Sequence, residues 1–308
     1  MSALFRKPLF AIVLSLVVLA VGVFAFFVVH KQAPEILPTK TIEAPKNLGR
    51  KHEVIGKSVE GRTVDAYTYG TGKTRLVFVG GMHGGYEWNS VLLAYAFMDY
   101  VDKNPAVVSD NLSVTVIPSL NPDAVYKVVG KEGRFVAATV STDTKLLASA
   151  RFNAHGVDLN RNFNCNWKPT SMWQSKIVSG GSAAFSEPEA KALQSFVSEN
   201  NPDAFVFWHS QANGVYASKC QKSILPETLD VMNAYSRASG YPAVKTFDAY
   251  ETTGAADDWL SSINIPAITV ELRTHKSIEW ERNLAGIKAL LLYYGQKKEK
   301  GPKAFYSK

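Results

Sequence analysis

Apolar positions along the chain fall into short runs, each closed by Gly, Pro, Asn or Asp, and these alternate with longer stretches of helical spacing. The clearest run is RLVFVGGMHGGYE, where residues 76–79 read as a buried strand that ends in a glycine-rich turn. A helical pattern follows over 88–100. Upstream, 52–69 holds two short strands around a turn at Glu60-Gly61, and downstream 113–117 is a buried strand that ends at the turn signal Asn121-Pro122-Asp123. Residues 131–154 are weakly patterned and read as loop. Ser186-Glu187-Pro188-Glu189 has the form of a capping box, with a proline tolerated in the first turn, opening a helix to about 200. A buried strand over 203–208 delivers His209, a helix spans 226–239, a strand spans 267–272, and an amphipathic helix over 278–294 closes the chain. This alternation predicts an α/β fold: a mixed, mostly parallel central sheet with helices on both faces.

Length and charge then set limits. The 308 residues, 46% of them hydrophobic, can bury one large core. A formal net charge of +7 is dispersed, with clusters only near the ends, which disfavours nucleic acid as a partner and favours an anionic surface. Residues 9–29 carry no charge and follow Arg6 and Lys7, so they are long enough to cross a bilayer and are expected to be an uncleaved transmembrane anchor preceding the fold. The expected layout is a cytoplasmic tail at 1–8, the anchor at 9–29, a proline-containing tether at 30–48, a catalytic domain at 49–300 and a basic tail at 301–308, with the domain extracytoplasmic. In that compartment Cys165 and Cys220 could form a disulfide or remain two buried thiols.

The candidate chemistry sits where strands end. His83 and Glu87 follow the strand at 76–79, His209 follows that at 203–208, and Glu271 lies near the end of that at 267–272, so all four can converge on one edge of the sheet. Two histidines and a carboxylate are a set that holds catalytic zinc and leaves a coordination position open. The plainer reading of the first pair is a turn histidine and an acid placed favourably at the positive end of a helix.

At this point the chain resembles the zinc metallocarboxypeptidases called funnelins, the carboxypeptidase A/B-like family. The matching motifs are HGGYE, GVDLNRNF, WHS, YETTGAADDW and ITVELRTH, in the family's order, across about residues 49–298. The resemblance implies one zinc ion per chain, held by His83, Glu87 and His209, with Glu271 as general base and acid. It implies that Asp158 orients His83, that Asn160 and Arg161 bind the terminal carboxylate of a peptide substrate, and that Tyr250 closes over it. Arg151 is a candidate for polarising the scissile carbonyl, with a surface arginine as the alternative. Asp257, just before Asp258-Trp259, falls where the family places the base of the pocket for the departing side chain, which would favour Lys or Arg. It could equally serve only to start a helix. The family spacing puts two residues between the first histidine and the glutamate; here there are three, and Gly84 and Gly85 can take the backbone angles that bulge the turn.

Three functions compete. The leading one is a membrane-anchored zinc carboxypeptidase acting on peptides with a free C-terminal carboxylate. The second keeps the site but takes diaminopimelate-linked cell-wall peptides. The third is a non-catalytic binding domain, which would have no need of Glu271, Asn160 and Arg161 together.

Overall fold

The computed structural model describes residues 49–221 and 223–297. The chain divides into a unit Met1–Ala44 and a unit Pro45–Lys308, and all described residues belong to the second. In chain order the elements are β1 (Lys51–Lys57), β2 (Thr63–Tyr69), β3 (Thr74–Val79), α1 (Trp88–Lys103), β4 (Leu112–Ile117), α2 (Pro122–Val129), α3 (Thr144–Ser149), β5 (Thr170–Trp173) and β6 (Lys176–Ser179). There follow α4 (Pro188–Asn200), β7 (Ala204–Ser210), β8 (Gly214–Ala217), α5 (Pro226–Ser239), β9 (Ala243–Val244), α6 (Ala256–Ser262), β10 (Ala267–Leu272) and α7 (Trp280–Gly295).

Among the described residues the main sheet has the order β1-β2-β4-β3-β7-β10-β8-β9, and β5 pairs with β6 in a separate hairpin. The centre is parallel: β4 with β3, β3 with β7, and β7 with β10. The antiparallel pairs β1-β2, β2-β4 and β10-β8 flank it. Central parallel strands must bury both faces, and β7 does so with the side chains AFVFWHS, all seven residues buried.

Alternation along the strands separates two cores. Phe78, Val206, Trp208 and Val270 point toward α1, α5 and α7, where they meet Phe97, Tyr235 and Ile287. Val77, Val79, Phe205, Phe207 and Ala267 point the other way, toward Leu193 of α4 and Trp259 and Leu260 of α6. Since side chains alternate with period two, His209 follows Phe205 and Phe207 onto this second face, and Glu271 follows Ala267 onto it. The register Glu271↔His209 sets the two side by side. The sheet thus brings an imidazole and a carboxylate together before any loop is considered.

The mixed α/β architecture agrees with the sequence reading; the transmembrane helix does not stand. Among the described residues no helix is long and apolar enough to cross a membrane. The longest, α1 and α7, have 16 residues each and extend about 24 Å, short of the roughly 30 Å of a hydrocarbon core. Single-pass anchoring and the extracytoplasmic placement built on it are therefore withdrawn, and residues 9–29 themselves lie outside the described residues.

Smaller differences have local causes. Asn121-Pro122-Asp123 opens α2 rather than ending in a turn, because the Asn121 side chain accepts from the Ala124 N–H and proline suits the first helical position. The stretch 131–154 contains α3, capped by Asp143. Ser186 does not cap α4: its hydroxyl donates to Glu187 and accepts from Asn162, and Glu187 stands at the N-cap position without a side-chain cap bond.

Candidate active site

The turn between β3 and α1 carries the first two groups. Gly84 has φ +43°, and a Cβ there would lie 2.3 Å from the Ala124 side chain; one on Gly85 would lie 2.4 Å from Val128. Only glycine lets this turn press against α2, and the extra residue between His83 and Glu87 is absorbed there. Glu87 ends at the N-cap position of α1, buried at 2% exposure.

His83, Glu87 and His209 form a buried group whose ligand atoms all lie within 4.8 Å of one another and could hold a metal ion. His83 Nδ1 is 2.8 Å from Glu87 Oε1, His209 Nδ1 is 2.9 Å from Glu87 Oε2, and the two Nδ1 atoms are 3.1 Å apart. The other side of His83 explains why this arrangement suits a cation. Its Nε2 lies 3.2 Å from Asp158 Oδ1, and an N–H donated there leaves Nδ1 as a bare lone pair facing a carboxylate and a second imidazole. Three acceptors converge where repulsion needs a positive charge between them. Ligand atoms of a tetrahedral zinc site stand about 3.3 Å apart, given zinc–nitrogen distances of roughly 2.0–2.1 Å, so the donor set fits zinc with little adjustment. Burial alone would raise the Glu87 carboxyl, but His83 and His209 hold it well below the usual carboxylate range.

Asp158 is fully buried and takes four donors: His83, the Asn160 backbone N–H at 3.1 Å, and Arg151 through Nε at 3.0 Å and Nη2 at 2.9 Å. Burial opposes its charge, yet Arg151 and His83 hold it well below its ordinary value. Arg151 is not a surface arginine; it is 3% exposed, lines the cavity, and also approaches Glu87 at 3.6 Å.

Glu271 accepts from the Ala212 N–H at 3.1 Å, and burial together with the Glu87 carboxylate pushes it up to about 7. It faces a cavity of about 470 Å³ whose lining includes all the groups named so far except Asp158. Beyond Glu271 the cavity holds Asn160, Arg161, Tyr250, Asp257 and Asp258. Arg161 donates Nε and Nη2 to the Met172 carbonyl and Nη1 to the Asn160 carbonyl. A guanidinium has five N–H groups, so one on each terminal nitrogen stays uncommitted, which is the pair a carboxylate would take. The Asn160 side-chain oxygen Oδ1 accepts from the Ala256 N–H, and this turns the side-chain NH₂ to other uses. Asp257 accepts from the Thr269 hydroxyl at 3.0 Å, and Asp258 accepts from the Lys219 N–H at 2.7 Å. Both stand in the first turn of α6, so Asp257 starts a helix and lines the cavity at once. The Tyr250 ring packs edge-on against Phe247 and lines the same space.

The cavity also has walls that the sequence reading did not single out. Tyr86 packs against Trp173 and His275, at 5.2 and 4.5 Å between ring centroids, and the Arg151 guanidinium lies 4.6 Å over Trp173. Asn89 donates both amide hydrogens to the carbonyls of Thr274 and Ser277, and its oxygen therefore accepts from Ser210. Ser210, having donated its proton, accepts from His275 Nδ1 at 2.6 Å, leaving His275 Nε2 as an acceptor with no partner among the described residues. His275 is the last residue of the motif ITVELRTH. Cys165 and Cys220, open between two readings in the sequence, are disulfide-bonded.

A family model described as zinc carboxypeptidase matches residues 43–287 of this chain. Gamma-D-glutamyl-L-diamino acid endopeptidase 1 of Lysinibacillus sphaericus is 24% identical over 242 residues, covering 71% of this chain and 59% of its own length. Murein peptide amidase A of Escherichia coli (strain K12) is 29% identical over 181 residues, covering 55% of this chain and 66% of its own length. This chain thus spans about six-tenths of the length of these curated relatives. Among solved structures, murein-tripeptide amidase from Escherichia coli O157 superimposes with a TM-score of 0.59 at 21% identity, over 82% of this chain and 96% of that one. Bovine thrombin-activatable fibrinolysis inhibitor, in complex with a tick carboxypeptidase inhibitor, gives 0.62 at 20% identity, over 80% and 88%. At such identities the likeness concerns the fold.

Proposed function

Because this chain belongs to the zinc carboxypeptidase family, we propose that it is a zinc-dependent metallopeptidase that removes a C-terminal residue from peptides and prefers a departing residue with a cationic side chain. The observation that carries the reading is the convergence of His83, Glu87 and His209 beside Glu271 on one face of the sheet, at the wall of a cavity that also holds Arg161. His83, Glu87 and His209 hold the zinc. When bound, it supplies a Lewis acid that activates water for attack at neutral pH.

The remaining roles belong to the chain. Glu271, oriented by the Ala212 N–H, accepts the proton of the attacking water and returns it to the leaving amine. Arg151, fixed by Asp158, polarises the scissile carbonyl and stabilises the negative charge that develops on its oxygen. Arg161 offers its two uncommitted N–H groups to the terminal carboxylate, with Asn160 beside it, and such a bidentate grip selects for a free C-terminus. Tyr250 closes the cavity. Asp257 and Asp258 are half-buried carboxylates whose further desolvation by a bound substrate is costly unless a cation pairs with them, and a Lys or Arg side chain supplies one. That Glu271, Asn160 and Arg161 all face the cavity speaks against a non-catalytic binding domain.

A second reading has its own support. Lys219 and Lys245 line the same cavity as Asp257 and Asp258, and a departing diamino acid with its own side-chain carboxylate would use both signs of charge. Two relatives are a diamino acid endopeptidase and a murein peptide amidase. One experiment separates the readings. The zinc-loaded protein is incubated with peptides ending in Lys, Arg, Leu or Phe, with their C-terminal amides, and with diaminopimelate-containing muropeptides, and products are identified by mass. Release of terminal Lys or Arg, with the amides spared, supports the carboxypeptidase. Release of diaminopimelate alone supports the second reading, and equal cleavage of acid and amide overturns the role of Arg161.

A further inference from the structure

Three chain segments wall the end of the cavity beyond Glu271, and they are interlocked. The segment 160–166 carries Asn160, Arg161 and Asn166; 217–221 carries Lys219; and 254–258 carries Asp257 and Asp258. The first and third are joined through backbone bonds, Gly254 N–H to the Cys165 carbonyl at 2.8 Å and Phe163 N–H to the Gly254 carbonyl at 3.0 Å, and through the Ala256 N–H to Asn160. Gly254, at φ +68°, has room for no side chain, since a Cβ would lie 2.3 Å from the Arg161 carbonyl oxygen. The third and second are joined by the Lys219 N–H to Asp258 at 2.7 Å. The first and second are joined by the Cys165–Cys220 disulfide, at a Cα–Cα distance of 5.9 Å, and by Gln221 to Asn166 at 2.8 Å. Among these connections the disulfide is the covalent one; each of the others is a hydrogen bond.

We propose that the Cys165–Cys220 disulfide is a positioning element for the departing residue, holding the carboxylate-binding Asn160-Arg161 pair and the Asp257-Asp258 pair in one rigid frame. The metal-binding group lies outside the frame, on the β3–α1 turn and on β7, so breaking the link acts on substrate grip and leaves the zinc in place. With segment 217–221 released, Asp258 loses the fixed N–H that Lys219 gives it, and the hydrogen bonds that tie the Asn160-Arg161 segment to the Asp257-Asp258 segment are left without covalent support. Misplacing such groups weakens the hold on both ends of the departing residue. This rests on the reading of the cavity as a peptidase site.

The test compares the full-length zinc-loaded protein with its Cys165→Ala/Cys220→Ala variant on peptides ending in Lys, Arg and Leu. The expected result is a KM about tenfold higher for the Lys and Arg peptides, a reduced preference over Leu, a kcat changed by less than about threefold and unchanged zinc content. A second arm treats wild type under native conditions with a trialkylphosphine and excess zinc. The S–S bond breaks, the phosphine gives two electrons and becomes its oxide, and water supplies the oxygen and the two thiol protons. The same rise in KM should appear and reverse on reoxidation; if the double variant does not fold, this arm decides. A variant of lower melting temperature with wild-type KM and preference, or one that loses zinc, overturns the proposal while leaving the peptidase reading intact. Wild-type protein that cleaves none of the peptides overturns both.

Discussion

Asp158→Asn is the sharpest probe of how the site is held. The carboxylate has no exposure and receives Arg151 on Oδ2, at 3.0 and 2.9 Å, and His83 and the Asn160 N–H on Oδ1, at 3.2 and 3.1 Å. Asparagine keeps the volume but replaces one oxygen by an NH₂, so whichever way it turns, a donor faces a donor. It also leaves the Arg151 guanidinium buried with Glu87, 3.6 Å away, as its nearest remaining anion. Removing one partner of a buried pair costs about 3–5 kcal/mol; with Glu87 still present the lower end applies, about 3 kcal/mol. For a domain of this size that lowers the melting temperature by roughly 6–12 °C. The second effect is on metal. Loss of the group that fixes a ligand histidine costs about 10–100-fold in metal affinity, because His83 is no longer held with its proton on Nε2. Unfolding of the zinc-free protein and competition for zinc against a chelator of known affinity measure the two effects separately. A stability change under about 1 kcal/mol with zinc affinity within about threefold of wild type would refute the assignment.

Glu271→Gln should retain zinc and lose about a hundredfold or more in turnover, because an amide cannot take the water's proton; more than about a tenth of wild-type turnover would exclude Glu271 as the base. Glu87→Ala or His209→Ala should abolish stoichiometric zinc, and metal analysis with full zinc in both would remove them as ligands. Asp257→Ala should lose the preference for terminal Lys and Arg over Leu, and an unchanged ratio of kcat/KM values would place that specificity elsewhere. Burial and the Asp257 carboxylate push Asp258 up to about 8, above an unfolded value of about 3.9. The folded state then binds the proton more tightly, so this contribution to stability is full below pH 4 and is lost as pH rises toward 8, at up to about 1.4 kcal/mol per unit. In Asp258→Asn, melting temperature should fall less between pH 5 and 8 than in wild type, and parallel curves would contradict the shift.

Much of the architecture was written in hydrophobic pattern. The strand at β10 and the helix α5 fall where the sequence reading placed them, since a run buried on both faces and a proline-opened helix are both strong local signals. The β5–β6 hairpin was not legible, because most of its residues are exposed or half-buried and no apolar alternation marks it. The Ser186 capping box failed for a different reason. Its local signature is sound, but Asn162, brought there by the tertiary fold, supplies the serine's partner and accepts the Glu187 N–H.

The candidate site divides the same way. His209 and Glu271 were legible because they sit in strands, where alternation fixes the face and register fixes the neighbour. Trp173 and His275 come from a hairpin and a turn whose positions depend on distant packing, and nothing in their immediate sequence sets them at the cavity. Asp257 shows why local sequence can leave two readings standing. An acid in the first turn of a helix is favourable whatever lies beyond it, so helix-start chemistry accounts for the Asp257-Asp258 pair completely and conceals any further purpose. What the fold adds is the bond from the Thr269 hydroxyl, which ties the Asp257 carboxylate to β10. Thr269 lies two residues before Glu271 on the same face of β10, a separation of about 6.6 Å at strand rise. The Asp257 carboxylate is therefore held within one side chain's reach of the proposed base, which is where the proposed preference for a departing Lys or Arg requires it.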